Sequence, residues 1–367
     1  MNAISKLAVD QKVEIHRIHS LDYLRGLMAF LIAVYHYIIW VSDLQGAASF
    51  FGRIGVYGVS IFYILSGLTL YLVYKEKLTF STQSITSFYI RRFFRIYPLL
   101  WVSMGLTIWL NKGEYTFQLL FLSFTGLFGF VAPSMYIGGV TWSIGNELVF
   151  YSLFPFLVLA LENRKRLFYL IMAGLLSINL YFIFYAFDQT ISLFDGQWGI
   201  YVNPFNHVIL FVMGILLGYI VTNKPFKLTP RIQVILWLIG IVGLFFYPAS
   251  GDLIHIVQGW ARVFLTLFSC LICLCFYIST FNPPRLLHRL LENIGQVSYS
   301  IYLIHPVCFI VLIRLNQQTF DVKIRYVFLV YILVTLVVSN FLYYVLEKPM
   351  IKLGRRVSFK SKRRASF

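Results

Sequence analysis

Charge is what this sequence has least of. Only 12% of its 367 residues are Asp, Glu, Lys or Arg, against 59% hydrophobic residues. The mean hydropathy of +0.77 excludes an ordinary soluble domain. No stretch between the apolar runs is long enough to form a separate soluble domain, so the chain reads as one integral membrane unit. No cleavable leader is expected: residues 1–20 carry Lys6, Asp10, Lys12, Glu14 and Arg17 without the charged-then-apolar pattern of a signal peptide. The small residues "GAAS" at 46–49 imitate a cleavage site, but cutting there would discard the polar face of the preceding span, which is expected to stay attached. Cysteines number four, Cys270, Cys273, Cys275 and Cys308, all inside apolar runs where they act as small hydrophobes. The "CLIC" spacing lacks a second ligand pair, and two thiolates in lipid are costly, so no metal is expected. No internal repeat stands out, which weighs against an inverted-repeat transporter.

What is present is a series of apolar runs, each suited to a hydrocarbon core of about 30 Å. Eleven candidates lie near 23–41, 55–74, 97–110, 117–131, 144–161, 167–187, 205–222, 232–247, 260–278, 297–315 and 326–346. The Lys- and Arg-rich stretches "KEKLTFSTQSITSFYIRRFFR" and "ENRKR" belong on the cytoplasmic side, and an even number of crossings must separate them. Three candidates lie between them. The short, Gly- and aromatic-rich run 117–131 is therefore read as re-entrant or interfacial. The expected fold is an all-α integral membrane protein of about ten transmembrane helices plus that segment, with both termini cytoplasmic. On this topology 25 of the 31 Lys and Arg fall inside and six outside, while the 14 acidic residues divide evenly. The organisation expected is a cytoplasmic N-terminal segment at 1–20, a membrane domain at 21–350 and a basic cytoplasmic tail at 351–367. The retained basic loops account for most of the +17 net charge. The tail is expected to meet anionic membrane lipids, and no nucleic-acid motif accompanies it.

Ionisable residues kept inside the spans are the functional candidates, because lipid makes them expensive. Arg25 and His36, eleven positions apart in the first span, share one helix face about 16 Å apart. Glu147 opens the span near 144–161 and is expected near the outer surface, close enough to meet His36. A carboxylate there would hold one imidazole tautomer and leave the other nitrogen free to take a proton from a hydroxyl; a plain hydrogen-bonded helix contact is the alternative. In "FYIRRFFRIYPLLW", Arg91, Arg92 and Arg95 cluster before Pro98, and Arg92 and Arg95 share a face if the segment is helical. Arg forks suit phosphate oxygens, although a positive-inside anchor uses the same residues. A last cluster, Ser298, Tyr302 and His305 in "IGQVSYSIYLIHPV", lies within about two helical turns. Interhelical hydrogen bonding explains it as readily as chemistry does.

Taken in order, the Arg25-to-His36 helix, "GVSIFYILSG", "RRFFRIYP", "TWSIGNELVFYSLFP", "SYSIYLIHP" and "LEKPM" resemble the membrane-bound acyltransferase-3 family over almost the whole chain. Its bacterial members modify sugars and other acceptors with acyl groups from a coenzyme A thioester. The resemblance implies that His36 is the catalytic histidine, Arg25 its companion and Glu147 the acidic residue of its segment. Arg92 and Arg95 correspond to the donor-handling RxxR pair, with Arg91 beside them. Trp142, Ser143, Tyr151, Ser298, Tyr302 and His305 are supporting candidates. Met28 and Tyr23 occupy positions often filled otherwise in the family, and neither touches the proposed chemistry.

The function expected is transfer of an acetyl group from cytoplasmic acetyl-CoA to a hydroxyl of a lipid-linked or cell-surface glycan, of O-antigen or exopolysaccharide type, at the bacterial inner membrane. His36 would serve as general base with Glu147 orienting it, or as the nucleophile of an acyl-histidine intermediate. Arg25 would guide the donor or stabilise an oxyanion. Loops 111–142, 188–204 and 248–259 would meet the acceptor. Some relatives carry an extracytoplasmic domain for the final transfer, so a separate partner protein in glycan assembly is the corresponding expectation here. The alternative is a transporter or flippase of a polyprenyl-linked sugar or acyl group, with His36 and Glu147 as a proton relay.

Overall fold

A computed structural model describes residues 18–42, 46–224, 228–279, 281–320 and 322–364. The N-terminal segment, up to residue 17, and the last three residues of the tail lie outside the described residues. Among the described residues the chain is helical throughout, without a strand. The elements are α1 His19–Val41, α2 Phe50–Tyr74, α3 Thr82–Asn111, α4 Phe117–Thr125, α5 Phe128–Val131, α6 Trp142–Asn163, α7 Lys165–Phe184 and α8 Trp198–Tyr201. They continue with α9 Pro204–Asn223, α10 Pro230–Phe246, α11 Ile254–Val257, α12 Gly259–Ile278, α13 Arg285–Gln296, α14 Ser298–Leu315, α15 Ile324–Leu342 and α16 Lys348–Arg364.

Among the described residues nine helices are long and apolar enough to cross a membrane, and α10 is a shorter apolar helix of 17 residues. The stretch 117–131 forms only α4 and α5, nine and four residues long. Gly126, at φ 74°, breaks the chain between them, and neither piece can reach across about 30 Å of hydrocarbon. Instead α5 lies against the start of α6, where a Cβ on Gly129 would collide with the Gly145 backbone.

Two expectations change at this level. The basic stretch before Pro98 is not a loop: Ser81 caps a single 30-residue helix, its side chain accepting from the Ser84 N–H. No glycine or proline interrupts residues 82–97, and the resulting α3 is about 45 Å long, more than a bilayer core. The basic tail, in turn, continues as α16 and packs along α3. A π-helical turn at Tyr343–Glu347 links it to α15. Such a turn rotates the side chains after it relative to those before, and it delivers Glu347 to the interior at 2% exposure.

α2 is the centre of the bundle, with 78% of its apolar window buried, against 17% for α7. It packs most extensively on α9. Gly67 and Gly214 allow this, since a Cβ on either would run into a carbonyl of the other helix. Two arginines are consumed by architecture. Buried Arg53 donates to the carbonyls of Ala47, Leu244 and Tyr247, tying α2 to the end of α10. Arg262 donates to the Val257 and Asn206 carbonyls.

Candidate active site

One cavity of about 320 Å³ runs into the bundle between α1, α2, α3, α6, α14 and α16. Its lining includes Arg25, Arg92, Arg95, Glu147, Tyr151 and Arg355. The helical phase of α3 explains why two of the three expected arginines arrive: Arg92 and Arg95 are three residues apart, whereas Arg91 is turned by about 100°. Arg91 instead donates from Nε to Ser358 Oγ at 2.9 Å, on the side where α16 packs. Its place is taken by Arg355, one turn before Ser358 on α16. Arg355 gives no signal as one basic residue of a tail; only the helical continuation through α16 places it beside α3.

The cations here are held by counter-charges and ring faces. Arg92 sits 5.8 to 5.9 Å from the ring centroids of Tyr74, Phe88 and Tyr151, while its buried Nε has no hydrogen-bond partner. Arg95 Nη1 lies 4.0 Å from Glu347 Oε1, and Ser300 Oγ donates to Glu347 Oε2 at 2.8 Å. Arg25 donates to Thr69 Oγ1 and lies 3.4 Å from Asp22 Oδ1, one turn earlier. Glu147 lines the same cavity as Arg25, Arg92, Arg95 and Tyr151. Glu347 had its signal in "LEKPM", but only the fold pairs it with Arg95.

Glu147 therefore belongs to the arginine cluster and not beside His36. The start of α6 does not lie at a surface: Trp142 to Asn146 are buried, with α5 packed against α6. Beyond Glu147 the polar lining continues through Ser66 and Tyr151, 2.9 Å apart, and Ser143 and Tyr302, 2.7 Å apart. Ser298 lies on the lining too, whereas Trp142 packs among Trp198, Tyr201 and His207 away from it.

The next group past Tyr302 is His305, their ring centroids 6.1 Å apart. His305 Nε2 lies 3.1 Å from His36 Nδ1. This is the pairing the sequence missed, although both histidines were singled out. The carbonyls dictate the tautomers, because they can only accept. His305 Nδ1 donates to Ile301 O at 3.0 Å, which leaves its Nε2 an acceptor. His36 Nδ1, 3.0 Å from Ile32 O, supplies the proton for both contacts. Its Nε2 is then the basic nitrogen. Trp40 stacks on His36, ring centroids 5.1 Å apart. Pro306 follows His305 and removes a helix donor, freeing the Tyr302 carbonyl beside the pair.

The chain belongs to the acyltransferase-3 family, whose model, described as an acyltransferase domain, matches residues 18–344. Among curated proteins it is similar to the "Putative acetyltransferase ORF330" of Acidianus two-tailed virus, 24% identical over 287 residues, which cover 77% of this chain and 80% of the viral protein. It is also similar to the "O-acetyltransferase OatA" of Staphylococcus aureus, 26% identical over 385 residues, covering 95% of this chain. The match spans 60% of the staphylococcal protein's length. No solved structure matches the chain.

Proposed function

We propose that the chain is a multi-pass O-acyltransferase of the bacterial inner membrane. It moves an acetyl group from cytoplasmic acetyl-CoA to a hydroxyl of a lipid-linked or cell-surface glycan. In this reading ten helices, α10 included, cross the membrane, both termini are cytoplasmic, and the arginine-lined mouth opens to the cytoplasm. The observation that carries it is the cavity lined by Arg92, Arg95, Arg355, Arg25, Glu147 and Tyr302, with the Tyr302 ring 6.1 Å from His305, the partner of His36. The family match favours acyl transfer over transport.

The phosphates of the donor rest on Arg92, Arg95 and Arg355, whose forks suit phosphate oxygens. The pantetheine arm follows the cavity inward. At its end the acceptor hydroxyl gives its proton to His36 Nε2 as its oxygen attacks the thioester carbonyl carbon. The C–S bond breaks, and the thiolate leaving on CoA recovers that proton from His36. His305 holds the reactive tautomer, the role expected of Glu147; Glu147 instead balances the arginines of the donor path. Acceptor access comes from the other end, where Trp198 Nε1 donates to Tyr136 OH at 2.7 Å. A second cavity of about 250 Å³ there reaches Pro306, next to His305.

The test is acetyl transfer from labelled acetyl-CoA to membrane glycans by protein in nanodiscs, with donor binding measured separately. Turnover lost in His36→Ala with binding retained, and binding weakened in Arg92→Ala/Arg95→Ala, is the expected pattern. Folded wild-type protein that neither binds acyl-CoA donors nor turns them over defeats the reading.

A further inference from the structure

Away from the cavity, at the end of the bundle where α1 begins, α13 brings two side chains against the first residue of α1. One imidazole nitrogen each of His19 and His288 and a carboxylate oxygen of Glu292 lie within 4.8 Å of one another. His288 and Glu292 are four residues apart, so one face of α13 presents both. Glu292 spans the group: its Oε1 is 3.6 Å from His19 Nδ1 and its Oε2 is 3.4 Å from His288 Nε2. We propose that His19, His288 and Glu292 form a divalent transition-metal site, suited to Zn²⁺, that pins α13 to the start of α1.

Four observations carry this beyond a chance cluster. His19 Nδ1 is buried and has no hydrogen-bond partner, an orphan that a cation would satisfy. The surroundings have the form of an outer coordination shell: Tyr23 OH sits 2.5 Å from His288 Nδ1, holding the ring so that Nε2 points to Glu292. Gln296 Nε2 donates to Glu292 Oε1 at 3.3 Å, orienting the carboxylate. The two imidazoles stand edge to face, centroids 5.2 Å apart, so that their nitrogens converge without stacking. Two imidazoles and a carboxylate select Zn²⁺, Co²⁺ or Ni²⁺ over Mg²⁺ or Ca²⁺, and three ligands leave a fourth position for water. The site uses none of the cavity residues, and its metal acts on structure: it fastens α13 to the helix that carries Arg25 and His36, where Gly26 and Gly295 already bring the two backbones into contact.

The experiment titrates Co²⁺ into untagged, metal-stripped full-length protein in nanodiscs, followed by visible absorption, with Zn²⁺ as competitor. One equivalent with the bands of a nitrogen- and oxygen-ligated ion, displaced by Zn²⁺, and a rise in Tm on Zn²⁺ addition are expected. His288→Gln and Glu292→Gln, and separately His19→Gln on the other helix, should each weaken binding at least tenfold, and Tyr23→Phe by less. Tm in EDTA establishes that each variant is folded, and Cys270→Ser/Cys273→Ser should bind as wild type does. Absence of saturable Co²⁺ uptake by wild type, thiolate bands that vanish in the cysteine variant, or uptake unchanged in both folded α13 variants would overturn the proposal in favour of a proton-shared His–Glu–His cluster.

Discussion

The arginine cluster and the histidine pair share helix α1, three turns apart, and accommodate buried polarity in opposite ways. Around Arg25 and Arg95, charge is answered by charge: Asp22 and Glu347 lie within 4.0 Å of them, and Glu147 lines the same cavity. At His36 no carboxylate hydrogen-bonds either imidazole among the described residues, and backbone carbonyls and a second imidazole set the protons. A network of compensated charges suits an anionic, mobile donor that must enter and leave. A neutral, carbonyl-held pair suits one proton moving over a short distance.

Removing His36 separates the two regions most sharply. His36→Ala should lower acetyl transfer about 10³-fold or more in kcat, with donor binding and Tm retained; donor affinity that falls with it would mean the regions are not distinct. His305→Ala takes away one of the two acceptors of the His36 Nδ1 proton and leaves Ile32 O. It should cost kcat about 10- to 100-fold, with His305→Asn recovering part of the loss and KM for the donor unmoved. At the other region the split reverses: Arg92→Ala should weaken donor binding about tenfold or more while kcat at saturation holds, as read by isothermal titration and saturation kinetics.

The smallest effect is expected far from both. Asp252, between α10 and α11, accepts from the Leu193 and Ile254 N–H groups and the Ser192 hydroxyl. Partial burial pushes its carboxyl up, but these three hydrogen bonds outweigh that and leave it below the usual aspartate value. Its contribution is therefore full above about pH 4 and lost as pH falls through the lowered folded value. Asp252→Ala should cost about 1–2 kcal/mol at neutral pH, measured as a fall in Tm, with the difference from wild type shrinking in acid.

Most of the helices were legible, because hydropathy over about twenty residues is a local property and lipid penalises every break in it. The failed crossing at 117–131 was legible for the same reason, since its length and glycines sit in the sequence. The start of α3 was not, because a polar amphiphilic helix turn and a basic loop have the same composition. The course of α16 was missed for the same reason. Arg25, His36, Arg92, Arg95 and Glu147 stood out as ionisable groups in apolar surroundings. Which of them would meet depended on the depth and rotation of their helices in the bundle.

By itself, then, the sequence determined that this is a helical membrane protein and which costly polar residues it retains, because those follow from the free energy of each segment in lipid. Only the tertiary structure decided that Glu147 shares a cavity with the arginines, that His36 is held by His305, that Glu347 answers Arg95 and that Arg355 replaces Arg91. Those pairings join residues up to 269 positions apart. They depend on where helix ends are buried and how a π turn rotates the chain, quantities that no local pattern of residues encodes.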